Sequence, residues 1–407
     1  MLSHGQYDKI KFFVKFSKVH VAEKVINCEF GGGRAAMAIK IETRNVRGPL
    51  ATEIYISATL ENCAPAKDKL LEMFAGIRKI LTEERASILE ERIFTVDGTL
   101  PIVSAARSEA YGEIDDGVVP SMLTGRESKR GHTIGVQVHA LARVNKPEVV
   151  RIDGKAYGRV IRTSEGVYLT LSGIPGGKSG ECLGQTIAMF EKAESALKQY
   201  GSDFRAVSRT WMWLGDILSL YGEFNKARNQ FFEKLGLIGK GIRQSMPAST
   251  GIGLGLGGDG QFGMDMTAVL EPAGSIELLA AIGWQQCAFD YGSAFSRASR
   301  ASSPAGKTVF ISGTASIDAK GNTTHIGDAK GQIATTIENV RAALRDMNCQ
   351  DRDVVQVVAY CKTAEVEGAF EEFRRQLDWP WITTIGDICR DDLLFEIEAA
   401  AIPQAGR

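Results

Sequence analysis

The sequence predicts an α+β protein of three tandem units, because one pattern of strand, helix and closing strand is written three times along 407 residues. The first observation is a period-2 strand that ends in a small-residue turn: EIYISATL (53–60), VYLTLSGI (167–174) and TVFISGTA (308–315). The second is an amphipathic helix after each of them, LLEMFAGIRKIL ending at Leu81, TIAMFEKAESAL at Leu197 and TTIENVRAAL at Leu344. Phe74, Phe190 and Ile337 stand seven positions before those leucines. The third is a closing strand, GVQVHALA, MDMTAVLE and FEIEAAAI. A period of ~130 residues is long enough for each unit to bury a core of its own.

Within each unit the expected order is strand, strand, helix, strand, helix, closing strand, a mixed sheet with helices on one face. The third strand reads ILEERIFTV, RAVSRTWMWL and DVVQVVAYCKT in the three copies. A proline-led stretch follows, starting at Pro120, Pro247 and Pro380, and runs into the closing strand. The first unit spans 1–147 and ends in a Pro-containing link, LARVNKPEVVRIDGKAYGR. The second spans 148–294, and the third, 295–407, opens at FSRASRASSPAGK. Three such sheets enclosing a common centre would place clefts between neighbouring units, where small-molecule sites are preferentially found.

With 44% apolar and 24% charged residues and no low-complexity tract, the chain has the composition of a fully folded protein. No apolar run reaches the ~18 residues of a membrane span, and MLSHGQYDKIKFF has no signal-peptide pattern, so a cytoplasmic location without membrane contact is expected. Seven scattered cysteines form no CxxC spacing, and five histidines form no HExxH, so neither a disulfide framework nor a metal site is expected. A net charge of −1 argues against a general nucleic-acid surface and leaves any anionic ligand to local arginines. GGKSGE (176–181) lacks the earlier glycine of a P-loop, since Ser172 stands there. GIGLGLGGDGQFG (251–263) follows no strand and opens no helix, so it reads as a loop whose first glycines let backbone approach a ligand. No cofactor is expected.

The differences among the copies point to the chemistry. Gln137, Asp265 and Glu396 occupy equivalent places in the closing strands, as do His139, Thr267 and Glu398. Strand alternation puts Glu396 and Glu398 on one face. They either face solvent or lie in a desolvated cleft where one has a raised pKa and serves as general acid. In the second unit Arg209, Trp211 and Trp213 share a strand face, and Phe224, Arg228 and Phe231 one side of a helix. Arginines among aromatics are either snorkelling surface residues or a means of bidentate carboxylate capture.

The third unit, with VFISGTASIDAKGNTTHIGDAKGQIATTIENVRAAL and FEIEA, resembles the YjgF/RidA superfamily of chorismate-mutase-like domains, which assemble as trimers with sites between subunits. Enamine deaminases of that superfamily carry an arginine fifteen residues before the closing-strand glutamate. Trp381 stands there, which speaks against deaminase chemistry. YGEFNKARNQFF, MPASTGIG, FSRASR, FISGTASI, HIGDAKGQ and CRDDLLFEIE together resemble the chorismatases, which release pyruvate from chorismate. The resemblance runs from about Asp153 to the C-terminus and implies an intramolecular pseudo-trimer of YjgF-like units that is a monomer.

It also implies a set of roles. Glu396 is the acid that protonates the enolpyruvyl methylene. Arg228 and Arg297, with Arg159 or Arg209, would meet the two carboxylates of the substrate, with Tyr157 beside Arg159 in YGRVIR. Tyr221, Thr250, the Gly251 amide and Thr314 would supply hydrogen bonds to the remaining oxygens. Cys389, seven residues before Glu396, goes in this family with 3-hydroxybenzoate as product, and 4-hydroxybenzoate is a second candidate product. Its other reading is a buried small hydrophobe. The competing expectations are a hydrolase that releases a dihydroxycyclohexadiene carboxylate, and a non-catalytic or deaminating YjgF-like protein.

Overall fold

The computed structural model describes residues 20–30, 37–61, 66–128, 134–177, 181–240, 245–257 and 262–403, with no side chains described for 20–30 and 37–38. The N-terminal stretch read for a leader and the centres of the two glycine-rich motifs, 178–180 and 258–261, lie outside the described residues, as do His4, His132 and Cys63.

The first unit contains β1 (His20–Phe30), β2 (Met37–Arg47), β3 (Thr52–Glu61), α1 (Lys67–Glu83), β4 (Ser87–Val96), α2 (Leu100–Tyr111), β5 (Ser121–Gly125) and β6 (Ile134–Ala142). The second contains β7 (Glu148–Ile152), β8 (Lys155–Arg162), β9 (Val167–Pro175), α3 (Cys182–Gln199), β10 (Val207–Leu214), α4 (Ile217–Lys234), β11 (Ala248–Ile252), β12 (Gly255–Leu256) and β13 (Phe262–Glu271). The third contains β14 (Glu277–Leu279), β15 (Ala298–Ser303), β16 (Gly306–Ala315), α5 (Ala329–Asp346), β17 (Val354–Cys361), α6 (Ala364–Arg374), β18 (Trp381–Ile385) and β19 (Phe395–Ala401). The sheets run β1-β2-β3-β6-β4-β5-β12, β11-β10-β13-β9-β8-β7 and β14-β15-β16-β19-β17-β18.

Each closing strand sits in the interior of its sheet, antiparallel to both neighbours, and is buried along nearly its whole length. Phe74, Phe190 and Ile337 are buried between helix and sheet in their respective cores, as the helical spacing requires.

Three features differ from the expected order. The proline-led stretches are themselves short strands, β5, β11 and β18, parallel to β4, β10 and β17. Their prolines are not equivalent. Ser121, Thr250 and Thr384 share a rung, pairing with Arg92, Trp211 and Tyr360, and they lie one, three and four residues after the prolines. Edge strands β1, β7 and β14 add to the three sheets. β14 precedes residue 295 yet pairs with β15, so the third sheet begins earlier than the sequence boundary.

The sheets pack around a common centre. One apolar cluster takes Phe94 and Leu123 from the first unit, Trp211, Trp213 and Ile252 from the second, and Ala315, Val358, Tyr360 and Ile382 from the third. β12 leaves the second unit to pair with β5, Gly255 opposite Thr124 and Leu256 opposite Leu123.

Candidate active site

The strand register confirms that Gln137, Asp265 and Glu396 are equivalent, since they stand opposite Arg92, Trp211 and Tyr360 respectively. Each projects toward a different neighbour, so the chain has three pseudo-equivalent clefts. Gln137 donates to the Val357 carbonyl of the third unit at 3.2 Å, and Ile382 packs onto Gly135 beside it. Asp265 meets the first unit, where its Oδ1 accepts from the Ser121 hydroxyl and, within its own unit, from the Gly173 amide at 2.8 Å. Leu256 lies alongside. Burial raises Asp265 to about 6 against the attraction of Arg92, whose Nε lies 3.2 Å away. These contacts bridge two of the clefts, and a small cavity of about 50 Å³ is found where Gln137 meets Val357. The third, where Glu396 of the third unit faces the second, holds a cavity of about 220 Å³.

Several stretches of chain line that cavity, β11 among them with Ser249 and Gly251. α4 presents Tyr221, Asn225 and Arg228 from successive turns of one side. The helix starts at Asp216, whose side chain accepts from the Ser219 amide, and its register is fixed by Phe224, Phe231 and Phe232 in the core. The chain from Tyr291 to Arg297 contributes Tyr291, Phe295 and Arg297. The loop before β19 contributes Cys389 and Arg390, and β16 brings up Gly313.

The cations are held by backbone and rings, which leaves their charge to the cavity. Arg297 Nε donates to the Gln286 carbonyl at 3.0 Å, another of its nitrogens donates to the Tyr291 hydroxyl, and its guanidinium lies 5.3 Å from the Phe295 ring. Arg228 lies 5.2 Å from the Phe224 ring and donates to Asn225 Oδ1 at 2.5 Å. Burial weakens its hold on its proton. Arg390 donates to the Gly321 carbonyl at 2.7 Å and rests 5.6 Å from the Tyr291 ring.

Glu396 is 5% exposed. Burial pushes its carboxyl up to about 8, the Glu398 charge adds to this, and Arg297, Arg209 and Arg390 pull the other way. At neutral pH it is a carboxylic acid facing arginines. Burial likewise raises the Cys389 thiol to about 12, so it is neutral.

Of the residues singled out in the sequence, the cavity brings together Glu396, Cys389, Tyr221, Arg228, Gly251 and Arg297. Thr250 and Thr314 lie at its edge with their hydroxyls engaged. Thr250 accepts from Arg209 at 2.5 Å, and Thr314 donates to the Ser312 carbonyl at 2.8 Å.

Three expectations are corrected. Arg209 is buried in a central ionic cluster, donating to Glu398 at 2.8 Å. Arg159 forms a fork onto Asp116 of the first unit, at 2.6 and 2.7 Å, so it joins units. Tyr157, also on β8, packs on the core of its own unit with Lys192 over its ring at 5.8 Å. Asn225, Tyr291, Phe295, Gly313 and Arg390 were missed. Arg390 adjoins Cys389, and Asn225 lies one turn from both Tyr221 and Arg228, so spacing alone signalled those two. Among the described residues no group of His, Cys, Asp and Glu side chains is placed to hold a metal ion, and no helix is long and apolar enough to cross a membrane.

Residues 289–402 match the family described as Endoribonuclease L-PSP. A 3-hydroxybenzoate synthase of Streptomyces hygroscopicus is 26% identical over 246 residues, covering 53% of this chain and 67% of that protein. The crystal structure of a chorismatase superposes with a TM-score of 0.57 at 21% identity, over 78% of this chain and 93% of that one. The shared fold therefore extends well beyond the family match, through most of the three-unit arrangement.

Proposed function

We propose that this chain, which resembles the chorismatases and shares their fold, cleaves chorismate to pyruvate and 3-hydroxybenzoate, with 4-hydroxybenzoate as a second product. The observation that carries the reading is the pairing, in a cavity of about 220 Å³, of a protonated Glu396 with Arg228, Arg297 and Arg390. Chorismate is a dianion with an acid-labile enol ether, and the cleft supplies cations and an acid together.

Glu396 delivers its proton to the terminal methylene, converting the enol ether to an oxocarbenium ion and leaving a carboxylate on the enzyme. Forming that carboxylate between arginines offsets the charge appearing on the substrate. The oxygen of the ring hydroxyl attacks the neighbouring ring carbon that bears the ether and gives its proton to the Glu396 carboxylate. The bond from that carbon to the ether oxygen breaks, so pyruvate leaves with that oxygen as its carbonyl. Opening of the resulting epoxide, with a ring proton lost and one gained on oxygen, completes aromatisation. The two products contain all the atoms of chorismate, so no water is consumed. Cys389, neutral and half-buried beside Tyr221, limits the space in which the ring settles and excludes the water that would give a dihydroxydiene.

The test is incubation with chorismate and chromatographic separation of the products with mass detection. Pyruvate with 3-hydroxybenzoate is expected, and Glu396→Gln should lower the rate about 10²- to 10⁴-fold. Pyruvate with a dihydroxydiene would move the chain to the water-consuming branch. No pyruvate would overturn the proposal.

A further inference from the structure

Glu396 and Glu398 lie two residues apart on one strand face, so their backbones stand only ~7 Å apart. Both are buried, and their surroundings are opposite. Glu398 receives the Trp211 indole N–H on Oε1 at 2.9 Å and Arg209 Nη2 on Oε2 at 2.8 Å, and Arg92 Nη1 stands 3.8 Å from Oε1. Among the described residues no group donates a hydrogen bond to Glu396. Arg92 and Arg209 are themselves fixed against the Trp211 ring, at 3.6 and 4.6 Å, so the donors cannot swing across to Glu396.

We propose that Glu398 is a positioning residue that carries the negative charge of this carboxyl pair, held as an anion by Arg209 and Trp211, and that its charge keeps the shared proton on Glu396. The proposal rests on the reading of Glu396 as the acid and deepens it: the acid is armed from the centre of the pseudo-trimer, outside the substrate cavity. Two close carboxyls ionise in sequence, and the one with more donors ionises first. Every charged group packed near Glu396 enters this balance. Arg297, Arg209 and Arg390 favour its ionised form. Glu398, on its own strand, opposes it, and Tyr360 and Cys389 stand close by on β17 and the preceding loop. The burial and the Glu398 charge outweigh the cations.

The same placement explains Arg209. It neutralises Glu398 from the side away from the cavity and bonds Thr250, which abuts Gly313 at the cleft wall. Cluster and cleft are thereby tied through one guanidinium.

The test reads the proton directly in ligand-free protein, so a protein that ignores chorismate still answers it. Infrared titration of the protonated-carboxyl band, taken as wild type minus Glu396→Gln, should show a midpoint near 8. In Glu398→Gln the midpoint should fall by about one pH unit or more, and Glu398→Asp should restore it. Glu90→Gln, a buried carboxyl of the same cluster bound to Arg92, serves as control and should leave it in place. An unchanged midpoint in Glu398→Gln overturns the proposal. So does a band with its midpoint near 8 that survives Glu396→Gln, because that proton would then sit elsewhere. The band of Asp265, near 6, is set apart by its midpoint, and this comparison stands even if Glu398→Gln does not fold. If chorismate is turned over, the alkaline limb of kcat/KM should move with the band.

Discussion

A methyl group on Gly313 would overlap Oε1 of Glu396, and would also come within 3.2 Å of Thr250 Cγ2. The missing side chain at 313 is therefore what lets the acid enter the cleft between the second and third units. Gly313→Ala should leave the fold intact, since the site borders an existing cavity, and lower turnover about 10²-fold by shifting Glu396 ~1 Å. Circular dichroism with steady-state rates checks both halves. An unchanged rate would show that Glu396 has room to rearrange.

With Glu396 raised to about 8, the acid form is present below that pH and is lost above it, so activity should fall on the alkaline side of about 8. Stability follows the same group. Its ordinary value is 4.5, so between 4.5 and about 8 the folded chain keeps a proton that the unfolded chain has released. This makes folding less favourable as pH rises through that window, by up to ~1.4 kcal/mol per unit. Denaturant titrations at pH 5.5 to 7.5 should show a steeper decline for wild type than for Glu396→Gln.

The arginines separate by burden. Arg297→Met and Arg228→Met should weaken substrate binding about 10- to 100-fold, the value of a charge-assisted hydrogen bond, with little loss of stability. Arg209→Met should instead destabilise the protein by ~3–5 kcal/mol, because Glu398 would remain buried and short of its cation. Substrate titrations and urea unfolding of the three variants decide this.

Cys389→Ala should shift products from hydroxybenzoate toward a dihydroxydiene with pyruvate release kept, since removing the sulfur opens room for water beside Tyr221. Product ratio by chromatography is the measurement. An unchanged ratio would leave Cys389 as a packing residue.

Much of the fold was legible because it repeats. Period-2 strands and the Phe74, Phe190 and Ile337 helices located the layers, and the equivalence of Gln137, Asp265 and Glu396 holds in the hydrogen-bond register. Edge strands were not legible: β7 lies in what reads as a linker, and β14 has three residues, too short for alternation to register. The site was legible in part for a geometric reason. Alternation says that Arg209 and Trp211 share a face, but in three sheets around a centre that face looks either into a cleft or toward the axis, and only the assembly decides. Arg209 looks inward, to Glu398. Arg159 was misread for a related reason, since its partner Asp116 lies 43 residues away in another unit and no local pattern announces it.

Asp265 and Gln137, the counterparts of Glu396, have become mortar between units. In an assembly of three identical subunits each substitution is made in triplicate, so a residue cannot serve chemistry at one seam and cohesion at the next. Joining the units in one chain removes that constraint. Each seam is inherited separately, and two were free to trade reactivity for adhesion while the third kept the larger hollow.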